Sequence, residues 1–368
     1  MGFPSRYIQG PGALKQTGQL LSELGFKRPV LLCDETVRKV ALPILRASLD
    51  PFGHESSVVV FPGEITLATV ADCNQKVAGH RPDVVVGLGG GKAVDAAKAA
   101  AANLDVPVVI APTVASNDAP TSRLIVINDQ NRTPVQIDFL KLNPTAILVD
   151  TDIIVKAPVR FFAAGIGDAI SKSLEANQCA ASGGVNFFGT PPSATAIMLS
   201  DQCFSVILKH AVTAYDAVKR REITPEVEEL VEATVLLSGL GFESGGLSLA
   251  HALIRGITAI PSMGKMLHGE MVAFGALVQS VVENRQQQEL EQLLAIFAHT
   301  KLPTCFAEFG YEGRMCAADL DKIVSATLAH TYAANMTPPL TAERLRDALL
   351  KTNELGMSAR DRNTFSVG

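Results

Sequence analysis

Six short runs rich in β-branched residues crowd into the first part of the chain: "PVLLC" (29–33), "SVVVF" (57–61), "DVVVGLG" (83–89), "VPVVIAP" (106–112), "RLIVI" (123–127) and "TAILVD" (145–150). Helix-like stretches such as "LKQTGQLLSEL" (14–24) and "TLATVADCNQKVAGH" (66–80) separate several of them. This alternation argues for parallel strands joined by crossover helices. "NDQNR" (128–132), between "LIVI" and "PVQID", reads as a hairpin turn inserted in the sheet. Near residue 157 the β signal ends. Long helical patterns succeed it, including "VEELVEATVLLSGLGF" (227–242) and "HGEMVAFGALVQSVVENRQQQELEQLLAIFAH" (268–299). The expectation is an N-terminal Rossmann-like α/β nucleotide-binding domain over 1–157 and an all-α domain over 158–368. The polar tail "MSARDRNTFSVG" (357–368) is expected to fray.

Within the α/β part, "GLGGGKAVDAAKAAA" (87–101) places four glycines directly after an apolar run and before an alanine-rich helix. It matches neither common phosphate motif. A Rossmann fingerprint starting at Gly87 and Gly89 needs glycine where Lys92 stands, and a Walker loop ending at Gly91-Lys92 needs Gly and Ser or Thr where Val86 and Ala93 stand. The physical logic survives without the motif. Glycines let backbone approach a ligand closely, and first-turn amides of the following helix favour an anion. An ordinary strand-to-helix turn is the plainer alternative.

Composition narrows the function class. The formal net charge of -5 gives no basic surface for nucleic acid. No stretch approaches 18 uninterrupted apolar residues, and "MGFPSRYIQGPG" has no apolar signal region, so a cytoplasmic protein without membrane attachment is expected. The six cysteines, Cys33, Cys73, Cys179, Cys203, Cys305 and Cys316, form no CxxC pair and read as reduced thiols.

Further polar residues sit where chemistry could use them. Asp34, closing the strand run "VLLCD", can hydrogen-bond ribose hydroxyls and repel a 2′-phosphate, favouring NAD over NADP; as a helix cap it would have no such role. "APTVASNDAPTS" (111–122) offers Thr113, Ser116 and Ser122 to a cofactor and sets Asp118 over the carboxyl edge of the sheet, unless it is only a polar turn. In the helical part, Asp168 in "AAGIGDAISKSLEA" reads as lying at a helix start, with His251 and His268 on two further helices. Each alone could be a cap or a core residue. Together one carboxylate and two imidazoles suit Zn²⁺ or Fe²⁺ and leave a position open for a substrate oxygen. Spacing does not select them, since 17 residues separate the histidines and no HExxH occurs. His54, His80, His210, His299 and His330 have no such partners and are assigned no role.

"GIGDA" (165–169), "GFESGGLSLAHA" (241–252), "HGEMVAFG" (268–275), "GGGK" (89–92), "APTVASNDAPTS" and "VDTDI" (149–153) resemble the metal-dependent, so-called iron-containing alcohol dehydrogenase family, at its glycerol dehydrogenase branch. The resemblance runs from "YIQGPGAL" (7–14) to about residue 356. It implies a dehydroquinate synthase-like fold with an NAD-binding α/β domain and an all-α metal-binding domain, acting as a homo-oligomer, an octamer by family resemblance. Asp168, His251 and His268 match the metal ligands, with His251 also counted as catalytic, and Asp118 matches the substrate-contacting aspartate. Asp34, Gly90, Gly91, Lys92, Ala93, Val94, Asp95, Thr113, Val114, Ser116, Ser122 and Leu124 match cofactor contacts. The implied reaction is NAD-dependent oxidation of glycerol or a related vicinal diol to the hydroxyketone. The metal, zinc before iron, acts as Lewis acid on a small polyol.

The chain departs from that pattern in places. "IRGITAIPSMGKMLHGE" (254–270) introduces Arg255, Lys265 and Met266 near the histidines, Arg123 stands where a small residue is usual, and Asn128 replaces an expected tyrosine. "AHTYAANMTPP" (329–339) matches only in part. If these cations point inward, a hydroxy acid or polyol phosphate becomes the substrate; otherwise they are solvated surface. An NAD-using cyclase would need a dense cationic phosphate pocket that the sequence does not display.

Overall fold

A computed structural model describes residues 1–130 and 134–365. The chain divides into two compact units, Gly2–Pro158 with Arg221–Ile223, and Val159–Arg220 with Thr224–Gly368 and Met1.

The first unit carries strands β1 (Arg6–Gly10), β2 (Pro29–Asp34), β3 (Ser57–Phe61), β4 (Val84–Gly89), β5 (Val108–Pro112), β6 (Leu124–Asn128), β7 (Pro134–Phe139) and β8 (Ala146–Asp150). Six of them form one sheet, in the order β1-β8-β5-β4-β2-β3, and every pairing in it is parallel. β4, β5 and β8 are buried along their whole length, which is why their sequences are unbroken apolar runs rather than alternating ones. Successive residues serve opposite faces. Val30 and Leu32 join one core with the helix Gly91–Leu104, while Leu31 and Cys33 join another with Leu20, Leu21 and Leu45. The sheet is therefore covered by helices on both sides. From β2 the chain winds first to β3 and then to β4 on the other flank, so β2 and β4 flank the point where strand order reverses. Asp34 ends one of these strands and Gly89 the other, and open α/β sheets bind ligands outside the carboxyl ends at such a point.

Two features differ from the sequence reading. β1 is unexpected, because "RYIQG" has no apolar run; it is an edge strand whose partner β8 supplies the buried face. The expected hairpin does form, β6 pairing antiparallel with β7, but as a separate two-stranded sheet rather than an insertion in the main one. Ile125 and Ile127 pack against the core under the Gly91–Leu104 helix, which holds β6 there. Residues 131–133, which include the end of the expected turn, lie outside the described residues.

Every regular element of the second unit among its described residues is a helix. The 268–299 pattern is two helices, His268–Val282 and Gln287–Thr300, broken where Asn284 takes φ +52°, a backbone conformation asparagine tolerates well. Residues 357–365 of the tail expected to fray instead continue the final helix, Ala342–Phe365, whose apolar face includes Leu345 and Leu349 in the core, while residues 366–368 lie outside the described residues. No helix among the described residues is long and apolar enough to cross a membrane.

Candidate metal centre and cofactor cradle

Asp168 does not start a helix. It is the penultimate residue of the Val159–Ala169 helix, so the capping role open to it in the sequence is excluded by position. That helix lies unusually close to the one beginning at His268. A Cβ on Gly269 would sit 1.8 Å from the Ala164 carbonyl oxygen, and one on Gly167 would sit 2.4 Å from the Gly269 oxygen. The glycines flanking both candidate ligands therefore allow backbone-to-backbone packing that no other residue permits. An ion pair fixes the same contact, with Arg160 Nε and Nη2 donating to the two Glu270 oxygens at 2.6 and 2.7 Å. Glu270 Oε2 also accepts the Leu267 amide at 2.7 Å, which caps the helix and sets His268 as its first residue.

His251 comes from the Leu249–Thr258 helix, and the three side chains meet. Asp168 Oδ1 lies 3.5 Å from His251 Nε2 and 3.6 Å from His268 Nε2, and the imidazole centroids are 5.3 Å apart. Three atoms held 2.0–2.2 Å from one tetrahedral metal stand roughly 3.3–3.6 Å from each other. The two distances to Oδ1 fit, and all three ligand atoms lie within 4.8 Å of one another. Asp168 and His251 are buried or nearly so, whereas His268 is 46% exposed, giving the cluster a wet side. The second carboxylate oxygen, Asp168 Oδ2, is buried and has no hydrogen-bond partner, a costly arrangement for a carboxylate that an added cation would relieve.

Glu175, which is not among the residues expected from the sequence, completes the arrangement. Its carboxylate accepts from His251 Nδ1 at 2.5 Å, from the Ser248 and His251 amides at 2.9 and 3.0 Å, and from Ser171 Oγ at 2.9 Å. The Nδ1 bond fixes the tautomer that leaves Nε2 with its lone pair free for an electrophile. Burial pushes the Glu175 carboxyl up, but the His251 imidazole and these donors prevail and hold it below its ordinary value. Burial likewise opposes ionisation of Asp168, yet Lys172 and the two imidazoles hold it well below the usual carboxylate range. The one available signal for Glu175 is its place in "SLEA", seven residues and two helical turns after Asp168. His330, assigned no role from the sequence, lies against Tyr332 in a tilted ring contact with centroids 4.5 Å apart, and burial followed by the charge of Arg255 pushes its pKa down. Arg255 and Lys265 themselves are exposed, and Arg123 sits 5.7 Å over the Phe139 ring.

In the α/β unit, Gly89 has φ +154°, and a Cβ there would press to 2.7 Å from Ala93. Gly90 caps the Gly91–Leu104 helix without any side-chain hydrogen bond, while the Ala93 and Val94 amides turn back to the Gly90 carbonyl. The Gly91 and Lys92 amides are thus the first-turn donors presented at the switch point. Asp34 does cap a helix, but only through Oδ1, which accepts from Thr36 and Val37 at 2.8 and 2.9 Å. Oδ2 lies against Gly89, where a Cβ would stand 3.7 Å away. Thr113 donates its amide to the Gly89 carbonyl at 3.0 Å, and Val114 packs beside Gly90. These residues surround one spot.

Other expected cofactor contacts have different occupations. The Lys92 ammonium is held by both Glu64 oxygens at 2.7 Å. Asp95 is buried, accepts the Val126 amide at 3.1 Å and pairs with Lys98 at 3.5 Å; burial raises its pKa, and nearby Asp118 adds to the rise. Lys98, fully buried, also donates to the Ala119 and Leu124 carbonyls, so the pair pins the 113–124 loop to the helix. Ala93, Val94 and Ser122 are buried, whereas Ser116 and Leu124 are half-buried. Asp118 belongs to the α/β unit and the three ligand candidates to the helical unit.

Known proteins are similar to this chain in both sequence and fold. Residues 8–158 match the family described as iron-containing alcohol dehydrogenase. The chain is 37% identical over 355 residues to a glycerol dehydrogenase of Thermotoga maritima, covering 96% of each. It is 34% identical to a glycolaldehyde reductase of Halobacterium salinarum, covering 98% of each. The crystal structure of glycerol dehydrogenase from Schizosaccharomyces pombe superposes with a TM-score of 0.91 at 32% identity, covering 99% of this chain and 92% of that one.

Proposed function

The chain belongs to the iron-containing alcohol dehydrogenase family, and from that premise we propose that it is an NAD-dependent polyol dehydrogenase, oxidising glycerol or a related vicinal diol to the hydroxyketone. The observation that carries the reading is the meeting of Asp168 Oδ1 with the Nε2 atoms of His251 and His268 at 3.5 and 3.6 Å, beside an unpartnered buried Oδ2. A divalent metal bound there, zinc with iron as the alternative, supplies Lewis-acid polarisation of a substrate hydroxyl. Asp168 contributes the negative charge of the ligand set, and Glu175 holds His251 in the tautomer and orientation that binding requires. Asp118 is assigned to accept a hydrogen bond from a further substrate hydroxyl. That contact favours polyols over simple alcohols.

For NAD, the Gly91 and Lys92 amides are assigned to the pyrophosphate, Thr113, Val114, Ser116, Ser122 and Leu124 to the rest of the cofactor, and Asp34 Oδ2 to the adenosine ribose. As in its family, the protein is proposed to act as a homo-oligomer in the cytoplasm. A hydroxy-acid or polyol-phosphate substrate is not favoured, since the similarity over nearly the whole chain is to a glycerol dehydrogenase and a glycolaldehyde reductase.

Initial rates with NAD on glycerol, 1,2-propanediol, 1-propanol, a 2-hydroxy acid and a polyol phosphate, at low and high salt, test the reading. The diols should exceed 1-propanol in kcat/KM by about tenfold or more, with little salt dependence. A preference for anions that fades as salt screens the cations would overturn it. Cofactor choice tests Asp34 separately. Asp34→Ser should weaken discrimination against NADP by on the order of tenfold in kcat/KM, because a carboxylate beside the 2′ position is lost. Equal use of both cofactors by the unmodified protein would remove Asp34 from this role.

A further inference from the structure

The candidate ligand set already contains a cation. Lys172 stands one helical turn beyond Asp168, and its side chain is 1% exposed. Its Nζ donates to Asp168 Oδ1 at 2.8 Å and lies 3.4 Å from His251 Nε2. Those atoms are two of the three assigned to the metal. On another side the ammonium faces the Phe242 ring, 5.6 Å from its centroid. A lysine this buried persists only where its charge is matched. The match here is the carboxylate that the metal needs.

Charge balance in the cluster depends on whether a metal is bound. Asp168 and Glu175 are both buried carboxylates, and Glu175 is committed to His251. In the metal-free chain Lys172 supplies a permanent positive charge in contact with Asp168; a divalent ion entering the same cluster must share that carboxylate with it and meet its repulsion at short range. Resting on the metal reading above, we propose that Lys172 is an internal counter-ion. It neutralises Asp168 when the site lacks metal and competes with the divalent ion for Asp168 and His251. The protein then keeps its fold through metal loss, and its affinity is set below what the three ligands alone would give.

Lys172→Met and Lys172→Gln in the full chain test this without any turnover. Each protein is stripped with a chelator and titrated with Zn²⁺ against a chromophoric competitor, and melting temperatures are taken with and without Zn²⁺. Both variants should bind Zn²⁺ tighter than the unmodified protein by about tenfold or more. Their metal-free forms should melt lower than the metal-free parent, and their loaded forms should not. If Lys172→Met is too unstable to strip, Lys172→Gln, which keeps a donor without the charge, carries the same measurement. Affinity unchanged or weakened in the variants, with the parent binding one Zn²⁺, overturns the counter-ion role alone. A parent chain that binds no Zn²⁺, or binds it equally well as His268→Ala, overturns the metal reading beneath it.

Discussion

His268→Ala is expected to remove bound metal and reduce turnover by on the order of a thousandfold or more, while leaving NAD binding nearly intact. The separation comes from where the groups lie. The imidazole is at the first position of its helix with 46% of its surface open, so its loss leaves little cavity and little strain. The groups assigned to the cofactor belong to the other unit. Metal content by mass spectrometry, NADH binding by fluorescence and steady-state rates measure the three consequences independently. Full activity in protein stripped of metal would sink the assignment.

Gly269→Ala should destabilise the chain by about 3 kcal/mol, the upper end for overpacking, because the new methyl group meets backbone rather than a movable side chain. The Ala164 carbonyl would lie 1.8 Å from it. Relief requires the His268 helix to move away from the Asp168 helix, and the 3.6 Å gap between Oδ1 and Nε2 widens with it. Urea unfolding reads the first effect and Zn²⁺ affinity the second. A variant as stable as the parent, with unchanged affinity, would show that the glycine contact does not set the ligand spacing.

The strands most legible in the sequence are those buried on both faces, since such strands must be apolar throughout: β4, β5 and β8 are plain for this reason. β1 is not, because an edge strand needs only backbone complementarity from β8, and "RYIQG" carries no pattern for that. The site divides in the same way. The glycines proposed to cradle phosphate announce themselves by density. The proposed ligands do not, since Asp168, His251 and His268 come from three helices and meet only through tertiary packing; the family resemblance, not spacing, gathers them. Asp34 shows a further limit. A carboxylate after a strand reads as cap or ligand group, yet its two oxygens face different ways, one capping and one turned to Gly89, so the alternatives are not exclusive. Glu175 escapes notice because a lone glutamate in a helix is ordinary until the imidazole it orients is known.

The bare start of the Gly91–Leu104 helix has a thermodynamic consequence. A serine or aspartate at position 90 would itself accept from one of the first-turn amides, and glycine there gives up only a few tenths of a kcal/mol by comparison. In return, an external anion can complete the helix. With the dinucleotide seated there as proposed, folding of the α/β unit and cofactor occupancy become linked equilibria: at a free cofactor concentration about a hundred times its Kd, the native state is favoured by about 2.7 kcal/mol more than in its absence. The lifetime of this protein in a cell would then track the size of the dinucleotide pool, so that a chain starved of its coenzyme is also the one most readily unfolded and degraded.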